Sequence, residues 1–166
     1  MSDPRVYGST EMTYNDYLKV PELLALQHRQ SEPPHHDEML FIIIHQAYEL
    51  WFKLILHELA SAMEHMKKLD VLRSRHFVHR CVEIFRVLVQ QIHILETMNP
   101  VEFLQFRDRL TPASGFQSMQ FRELEFLTGL KEPRYLQFFK NRSDLVAILQ
   151  ARLDGPDLRS AYYDLL

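Results

Sequence analysis

The feature that most constrains the fold of this chain is a long segment, residues 35–69, that contains no residue that breaks a helix. Most of its positions are apolar, while His45, Glu49, Lys53 and His57 recur at a spacing of four and form one narrow polar stripe on a helix. Because the rest of the circumference is apolar, we expect this helix to be buried on most sides, at the centre of a bundle. Its charged residues interrupt the apolar run too often for a membrane span.

The rest of the chain has the same helical character. Seven further segments are expected to be helices, because their apolar residues lie three and four apart and proline, glycine or capping residues bound them. They are 14–28, 73–98, 101–110, 118–127, 133–140, 143–153 and 158–166. Ser143 is the expected N-cap of its helix. No segment has the alternation of a strand. We therefore predict an all-α fold, a helical bundle with two long central helices and several short ones, in a single domain over residues 1–166.

The composition excludes several common kinds of functional site. Only four residues are glycine, and the chain has no GxGxxG, GxxxxGK[ST] or GxSxG motif, so a Rossmann site, a P-loop and a nucleophile elbow are not expected. A net charge of −3 gives no reason to expect nucleic acid or an anionic membrane as a partner. The single cysteine, Cys81, and the absence of an apolar signal segment indicate a cytoplasmic protein.

Nine histidines are many for a chain of this length, and they raise the question of metal binding. The one Glu-x-x-His spacing that a di-iron site would need, Glu32 to His35, spans two prolines. The HExxH motif of zinc proteases is absent. We interpret His76, His79 and Cys81 as structural or surface residues. The residues by themselves therefore predict no metal site.

His45 is the histidine with the strongest case for a function, because it lies in the middle of the apolar segment. A buried imidazole needs either a hydrogen-bond partner on a neighbouring helix or a cavity. Glu49 and Lys53 have the spacing of an ordinary ion pair on a helix surface. Arg107 precedes a loop of small residues, where it could bind a carboxylate bidentately or hold the carbonyl groups of the loop. These patterns alone leave the function open.

Three groups of motifs resemble the tryptophan 2,3-dioxygenase family. The first is HHDEMLFIIIHQ at 35–46, followed by YELWFK at 48–53 and HEL at 57–59. The second comprises LETM at 95–98, FR at 106–107, PASGFQS at 112–118 and QFR at 120–122. The third is YxxYL at 14–18. The similarity extends over roughly residues 13–129 without a gap, and motifs of this length are highly specific.

This resemblance implies a haem-dependent enzyme that inserts both atoms of O₂ across the C2–C3 bond of the indole ring of L-tryptophan. The product would be N-formylkynurenine, the first step of tryptophan catabolism by the kynurenine pathway. The resemblance also implies an all-α homotetramer that contains haem b and its iron.

The resemblance further implies roles for individual residues. His45 matches the histidine that faces the indole N–H, Phe41 the aromatic residue that packs on the indole, and Arg107 the arginine that binds the substrate carboxylate. The other matched positions are the pocket walls Ile42, Ile43, Ile44 and Phe103, the loop over the haem edge at Ser114 and Gly115, and residues lent to a neighbouring subunit's pocket, Tyr14, Tyr17 and Leu18.

The chain departs from the family pattern in one respect. Members of the family continue into helices that carry the proximal histidine ligand of the iron, and no stretch of this sequence resembles that motif, so the metal ligand is unknown. We expect the N-terminal portion of a longer dioxygenase; the alternative is a shortened relative that binds haem weakly or not at all. Two other functions stay open: a related haem enzyme acting on another indole or amino acid, and a haem-less helical interaction module.

Overall fold

The computed structural model describes residues 12–166, and this part of the chain consists of eight α-helices with short connections. The helices are α1 (Tyr14–Leu18), α2 (Val20–Leu24), α3 (His36–Lys67), α4 (Val71–Leu95), α5 (Pro100–Arg107), α6 (Met119–Leu127), α7 (Ser143–Asp154) and α8 (Leu158–Leu165). Three 3₁₀ segments lie between them, at Asp108–Leu110, Gly115–Gln117 and Pro133–Phe139. No strand occurs within residues 12–166, so the predicted all-α class with two long helices is confirmed.

Helices α3 and α4 form a hairpin with a very short connection. Leu69 adopts a left-handed conformation with φ 57°, which reverses the chain direction within one turn. Asp70 then caps α4, because its carboxylate accepts a hydrogen bond from the backbone N–H of Arg73 at 3.2 Å. The buried Ser74 hydroxyl donates to the carbonyl oxygen of Asp70 at 2.8 Å. These local bonds set the angle at which the two long helices begin to pack.

The main hydrophobic core lies where α3 packs against α4, α6 and α8. Its buried side chains are Phe52, Ile55, Leu59, Met63 and Met66 from α3, Cys81, Ile84 and Leu88 from α4, Leu124 and Leu127 from α6, and Ala161 from α8. On α3 and α4 these residues recur at spacings of three and four, as expected for one buried stripe on each helix. Full burial of a large apolar side chain contributes about 1.5–3 kcal/mol to stability, so this cluster is a main source of the stability of the helix packing.

A second, smaller core lies on the other face of α6. Phe126, Phe139 and Leu149 are its buried members, contributed by α6, the 3₁₀ segment Pro133–Phe139 and α7. Helix α6 therefore belongs to both cores, and it connects the hairpin of α3 and α4 to the C-terminal helices.

Two buried carboxylates in the described range form ion pairs across elements. The Glu58 carboxylate on α3, with its side chain only 4% exposed, accepts a hydrogen bond from Arg80 on α4 at 2.8 Å. Glu123 on α6 accepts one from Arg152 on α7 at 2.7 Å. Because a buried charge without a partner is costly, each pair favours one alignment of its two helices.

Two local predictions are wrong. The expected helix over 14–28 is divided into α1 and α2, because Lys19 adopts a left-handed conformation with φ 54° between them. Helix α2 also ends at Leu24, short of residue 28. Ser143 is the first helical residue of α7 and not its N-cap; Arg142 occupies the cap position and makes no side-chain capping bond.

Helix α3 is buried along only part of its length, which corrects the expectation that it is enclosed on most sides. Its buried apolar residues concentrate between Phe52 and Met66, whereas Ile43 and Leu50 are about half exposed. By length and composition α3 is also the one helix within residues 12–166 that could cross a membrane. That is weak evidence, since the core helix of a soluble protein passes the same test, and α3 packs against four other helices, α4, α5, α6 and α8.

Candidate active site

A cleft of about 470 Å³ opens between the first half of α3 and the segment that follows α5. Helix α3 contributes Phe41, His45 and Glu49, which share one face because a spacing of four returns to the same side of a helix. The other lining residues are Arg107, Leu110, Ala113, Ser114, Gly115, Gln117 and Ser118. A cleft of this volume, apolar on most of its surface and with a few polar groups, suits a small organic molecule.

The imidazole of His45 is oriented by its own helix. Its Nδ1 atom lies 2.7 Å from the backbone carbonyl oxygen of Phe41, one turn earlier. A carbonyl oxygen only accepts hydrogen bonds, so Nδ1 carries the proton and, in the neutral ring, Nε2 has the free lone pair. His45 therefore offers the cleft a hydrogen-bond acceptor whose orientation is fixed by the helix.

Phe41 is supported by an aromatic cluster between α3 and α5. The centroid of its ring lies 4.0 Å from that of His45, 5.8 Å from that of Phe103 and 5.9 Å from that of Phe106. Phe106 is fully buried and meets Phe103 nearly edge to face, an arrangement that aromatic rings favour. Phe103 thus lies behind Phe41 and is not itself among the residues that line the cleft.

Arg107 is the last residue of α5 and is half-buried where it lines the cleft. Among residues 12–166, no carboxylate pairs with its guanidinium, and the guanidinium makes no hydrogen bond to a carbonyl group of the following loop. The alternative role of Arg107, hydrogen bonding to the carbonyl groups of the loop, therefore has no contact within residues 12–166 to support it. A planar cation that has no partner anion among residues 12–166 and lies beside an apolar cleft is suited to bind an anionic group of a ligand.

Ser114 and Gly115 lie on the loop wall of the cleft. Ser114 begins the 3₁₀ segment Gly115–Gln117 with a capping box, in which its hydroxyl accepts from Phe116 N and its own N–H donates to the Gln117 side chain. A side chain at Gly115 would meet no atom within 4 Å, so there is open space beside the loop at this point. The wall here consists of backbone and small side chains.

The contacts of Glu49 differ from the ion pair that its spacing to Lys53 predicted. Its Oε1 atom accepts a hydrogen bond from the Ser118 hydroxyl at 2.6 Å, and its Oε2 atom accepts one from the Gln120 amide at 2.8 Å. Lys53 is exposed. The spacing in the sequence suggested Lys53 as the partner of Glu49. Its actual partners lie about 70 positions away along the chain, so no local pattern indicates them.

Several predicted site residues lie outside the cleft in this chain. Of the three isoleucines after Phe41, Ile44 is buried and Ile43 is about half exposed; neither these two nor Ile42 lines the cleft. The three residues of the YxxYL motif, Tyr14, Tyr17 and Leu18, are exposed, Tyr14 and Tyr17 by more than 70%. Helix α1 contacts α2 and does not reach the cleft.

The part of the chain that the structure describes provides one imidazole to the cleft. His57, His76, His79 and His93 are exposed on α3 and α4, away from it. Residues 12–166 contain no group of three histidine, cysteine or carboxylate side chains that could hold a metal ion. Haem iron needs a strong axial donor from the protein, and none of the cleft residues other than His45 is one. These residues therefore do not make a complete haem site, and we assign no axial ligand among them.

Comparisons with known proteins agree with the motifs. A family model described as tryptophan 2,3-dioxygenase matches residues 3–158. A tryptophan 2,3-dioxygenase of Nocardioides sp. is 52% identical over 161 residues, which are 94% of this chain and 60% of the relative. One from Xanthomonas euvesicatoria is 44% identical over 158 residues, 94% of this chain and 53% of the relative. The chain thus spans a little more than half of the length of these relatives. It belongs to the tryptophan 2,3-dioxygenase family.

Proposed function

We propose that this chain forms the substrate pocket of a haem-dependent dioxygenase that adds both atoms of O₂ across the indole C2–C3 bond of L-tryptophan. The product, N-formylkynurenine, contains every atom of tryptophan and of O₂, so the reaction needs no external reductant. The observation that carries the proposal is that one cleft is lined by an oriented acceptor, His45, an aromatic ring, Phe41, and a cation, Arg107, that no carboxylate of residues 12–166 pairs with. Membership of the family supports the same substrate.

Each of these three groups has a counterpart on tryptophan. The guanidinium of Arg107 would bind the carboxylate through two parallel hydrogen bonds. The ring of Phe41 would pack on the indole, supported from behind by Phe103. His45 would accept the hydrogen of the indole N–H at Nε2, since Nδ1 is occupied by the Phe41 carbonyl. The three contacts together would fix both ends of the substrate.

The oxygen chemistry of such an enzyme belongs to its haem b, and the protein positions the substrate and excludes water. We propose that the edge of the haem lies beside Ser114 and Gly115, where the loop is made of small residues and has open space next to it. Ile42, Ile43 and Ile44 would then act as a supporting segment of α3 rather than by touching the substrate.

We further propose that the enzyme works as a homotetramer in the cytoplasm, with L-tryptophan and O₂ as its small-molecule partners and neither nucleic acid nor membrane. Tyr14, Tyr17 and Leu18 are large side chains that project into solvent from α1. Exposed apolar groups of this size next to one another are typical of an interface. They would cover the open side of the cleft in a neighbouring subunit and so add an apolar wall on that side.

The experiment that tests this function is product analysis under ¹⁸O₂ with a haem-loaded enzyme in which this chain is present together with an axial ligand for the iron. We expect a Soret absorption band and a product that carries two labelled oxygen atoms per tryptophan. The Arg107→Ala variant is the matched control, since it keeps the cofactor environment and loses the carboxylate contact. A Soret band with oxidation of another indole compound only would favour the related enzyme. Absence of both the band and tryptophan binding would favour a haem-less module and contradict the proposal.

A further inference from the structure

The loop wall of the cleft has few attachments to the other elements of the described chain, residues 12–166. All residues from Thr111 to Gln117 are exposed, and the hydrogen bonds of the capping box are internal to the segment. On the side away from the cleft, the ring of Phe116 stacks on that of Phe138 at 6.0 Å between centroids. On the cleft side, the attachment is at Ser118, where the segment meets α6. The position of this wall therefore depends on a small number of contacts.

Glu49 makes the attachment on the cleft side. Its carboxylate accepts hydrogen bonds from Ser118 at 2.6 Å and from Gln120 at 2.8 Å, and the Gln120 amide also donates to the Glu49 backbone carbonyl at 2.9 Å. Hydrogen bonds to an ionised carboxylate are stronger than neutral ones. The Ser118 hydroxyl also accepts a hydrogen bond from Phe121 N at 3.2 Å, so the same group caps α6. Three elements, α3, the loop and α6, meet at this carboxylate.

The position of Glu49 on α3 links this attachment to the ligand groups. Glu49 lies one turn after His45 on the same helix face, and both line the cleft. The opposite wall, at Ser114 and Gly115, is only a few residues before Ser118 in the chain. A shift of the loop away from Glu49 would therefore widen the cleft between these two walls.

We propose that Glu49 is a positioning residue that sets the width of the cleft by fastening the loop 111–118 to α3. It acts through Ser118 and Gln120 and does not itself contact the substrate. The effect on tryptophan binding rests on the function proposed above, whereas the effect on the loop does not. Loss of the carboxylate would leave the loop held mainly by the Phe116 contact and would loosen the wall opposite His45.

Amide hydrogen exchange tests the loop directly. The amides of Phe116, Gln117 and Ser118 are hydrogen-bonded within the segment, so they have protection to lose. In Glu49→Ala we expect their exchange to accelerate at least about tenfold, while core amides of α3 and α4 keep their protection. Glu64→Ala is the matched control, because Glu64 is an exposed carboxylate on the same helix whose hydrogen bond is to Lys68. It should leave the loop unchanged.

A swap of the two side chains provides the rescue. In the double variant Glu49→Gln/Gln120→Glu, the new amide at position 49 can donate to the new carboxylate, and its oxygen can accept from Ser118. Two of the three hydrogen bonds are thus restored, whereas the one to the backbone carbonyl of residue 49 is lost because a carboxylate cannot donate. We expect loop protection to return at least halfway to that of the unchanged protein. If Glu49→Ala fails to fold, Ser118→Ala, which removes the hydroxyl that joins the loop to Glu49, gives the same test. Loop exchange equal to that of the unchanged protein in a folded Glu49→Ala or Ser118→Ala variant would overturn the proposal.

Ligand binding separates this proposal from the function on which it rests. We expect L-tryptophan to bind Glu49→Ala at least about tenfold more weakly, while the preference for tryptophan over tryptamine, which depends on Arg107, is retained. Failure of the unchanged protein to bind tryptophan would contradict the proposed function, but the exchange data would still decide the role of Glu49. Unchanged tryptophan affinity in a variant with a loosened loop would show that the loop does not set the cleft width.

Discussion

The Nδ1 atom of His45 lies 2.7 Å from the carbonyl oxygen of Phe41, so the residue that forms the aromatic wall of the cleft also fixes the tautomer of the imidazole beside it. The two ring centroids are 4.0 Å apart. A ligand that reaches His45 therefore meets a hydrogen-bond acceptor, Nε2, next to an apolar ring. The N–H of an indole, which is a donor at the edge of an apolar ring system, is complementary to this pair.

The first prediction concerns the indole N–H. Methylation of this nitrogen removes the donor, so 1-methyl-L-tryptophan should bind the unchanged protein more weakly than L-tryptophan by at least the value of a neutral hydrogen bond, about 0.5–1.5 kcal/mol. In His45→Ala the difference between the two ligands should nearly disappear, because the acceptor is gone and space is gained. Titration calorimetry of both ligands into both proteins measures this coupling. A methylation penalty of the same size in His45→Ala would remove His45 from contact with the indole.

The second prediction concerns the pH dependence of stability at Glu38, which is fully buried at the start of α3. Burial raises the pKa of its carboxyl group, but hydrogen bonds from the Ser31 hydroxyl and from the backbone amides of Gln30 and Ser31 more than offset this, so its pKa lies below the ordinary value of 4.5. A group whose pKa is lower in the folded state stabilises the protein fully at pH values above its ordinary pKa. This contribution is lost as the pH falls through the lowered pKa.

The variant Glu38→Gln removes this titration. At about pH 7 we expect it to lower the free energy of unfolding by about 2 kcal/mol, because the three donors then face a neutral amide. The difference between the two proteins should shrink as the pH falls well below 4.5. Urea unfolding at a series of pH values measures it. A difference that stays constant down to about pH 3 would show that the Glu38 charge contributes nothing.

The third prediction concerns Cys81, which is 4% exposed in the main core. Burial, and next the nearby Glu58 carboxylate, raise the pKa of its thiol to about 11. Since the thiolate is the reactive form, native protein at about pH 8 should resist alkylation by iodoacetamide, with a thiolate fraction on the order of one in a thousand. Unfolding in guanidinium should make Cys81 fully reactive, and intact-mass measurement reads this directly because the chain has one cysteine. Rapid labelling of the native protein would contradict the packing described for the core.

The fourth prediction concerns assembly through α1. Replacing Tyr14, Tyr17 and Leu18 together with serine should weaken both oligomer formation and tryptophan binding, because these side chains would cover a neighbouring cleft. Leu72→Ser is a matched control, since Leu72 is 80% exposed on α4, outside the proposed contact. Sedimentation velocity measures the oligomeric state. A triple variant with the same sedimentation behaviour as the control would contradict the proposed role of α1.

Much of the fold could be predicted from the sequence because its longest elements have strong local signals. Helices α3 and α4 follow from uninterrupted apolar periodicity, and the structure shifts their ends by one to three residues. The break at Lys19 could not be predicted, since a lysine in the left-handed conformation has no distinctive local pattern. The exposure of Ile43 could not be predicted either, because the apolar character of a residue does not show whether the same chain buries it.

The cleft likewise combines features that the sequence predicts with features that it does not. The spacing of four between Phe41, His45 and Glu49 predicts that they share one face of a helix, and all three line the cleft. The contacts that complete the site, Glu49 with Ser118 and Phe41 with Phe103, join positions far apart in the chain. Spacing favoured a pair of Glu49 with Lys53, since only local partners are visible in a sequence. The tertiary arrangement brings Ser118 closer and leaves Lys53 in solvent.

The central claim, that this cleft binds L-tryptophan with its carboxylate at Arg107, is tested most directly by titration calorimetry of L-tryptophan and of tryptamine, which lacks the carboxylate, into the unchanged protein and Arg107→Lys. The lysine keeps the charge but loses the planar two-point contact. We predict that the unchanged protein prefers tryptophan, and that Arg107→Lys weakens tryptophan binding by about 1.5–3 kcal/mol, roughly 10- to 150-fold, while leaving tryptamine nearly unaffected. Equal tryptophan affinity in the two proteins, or an equal loss for both ligands, would contradict it.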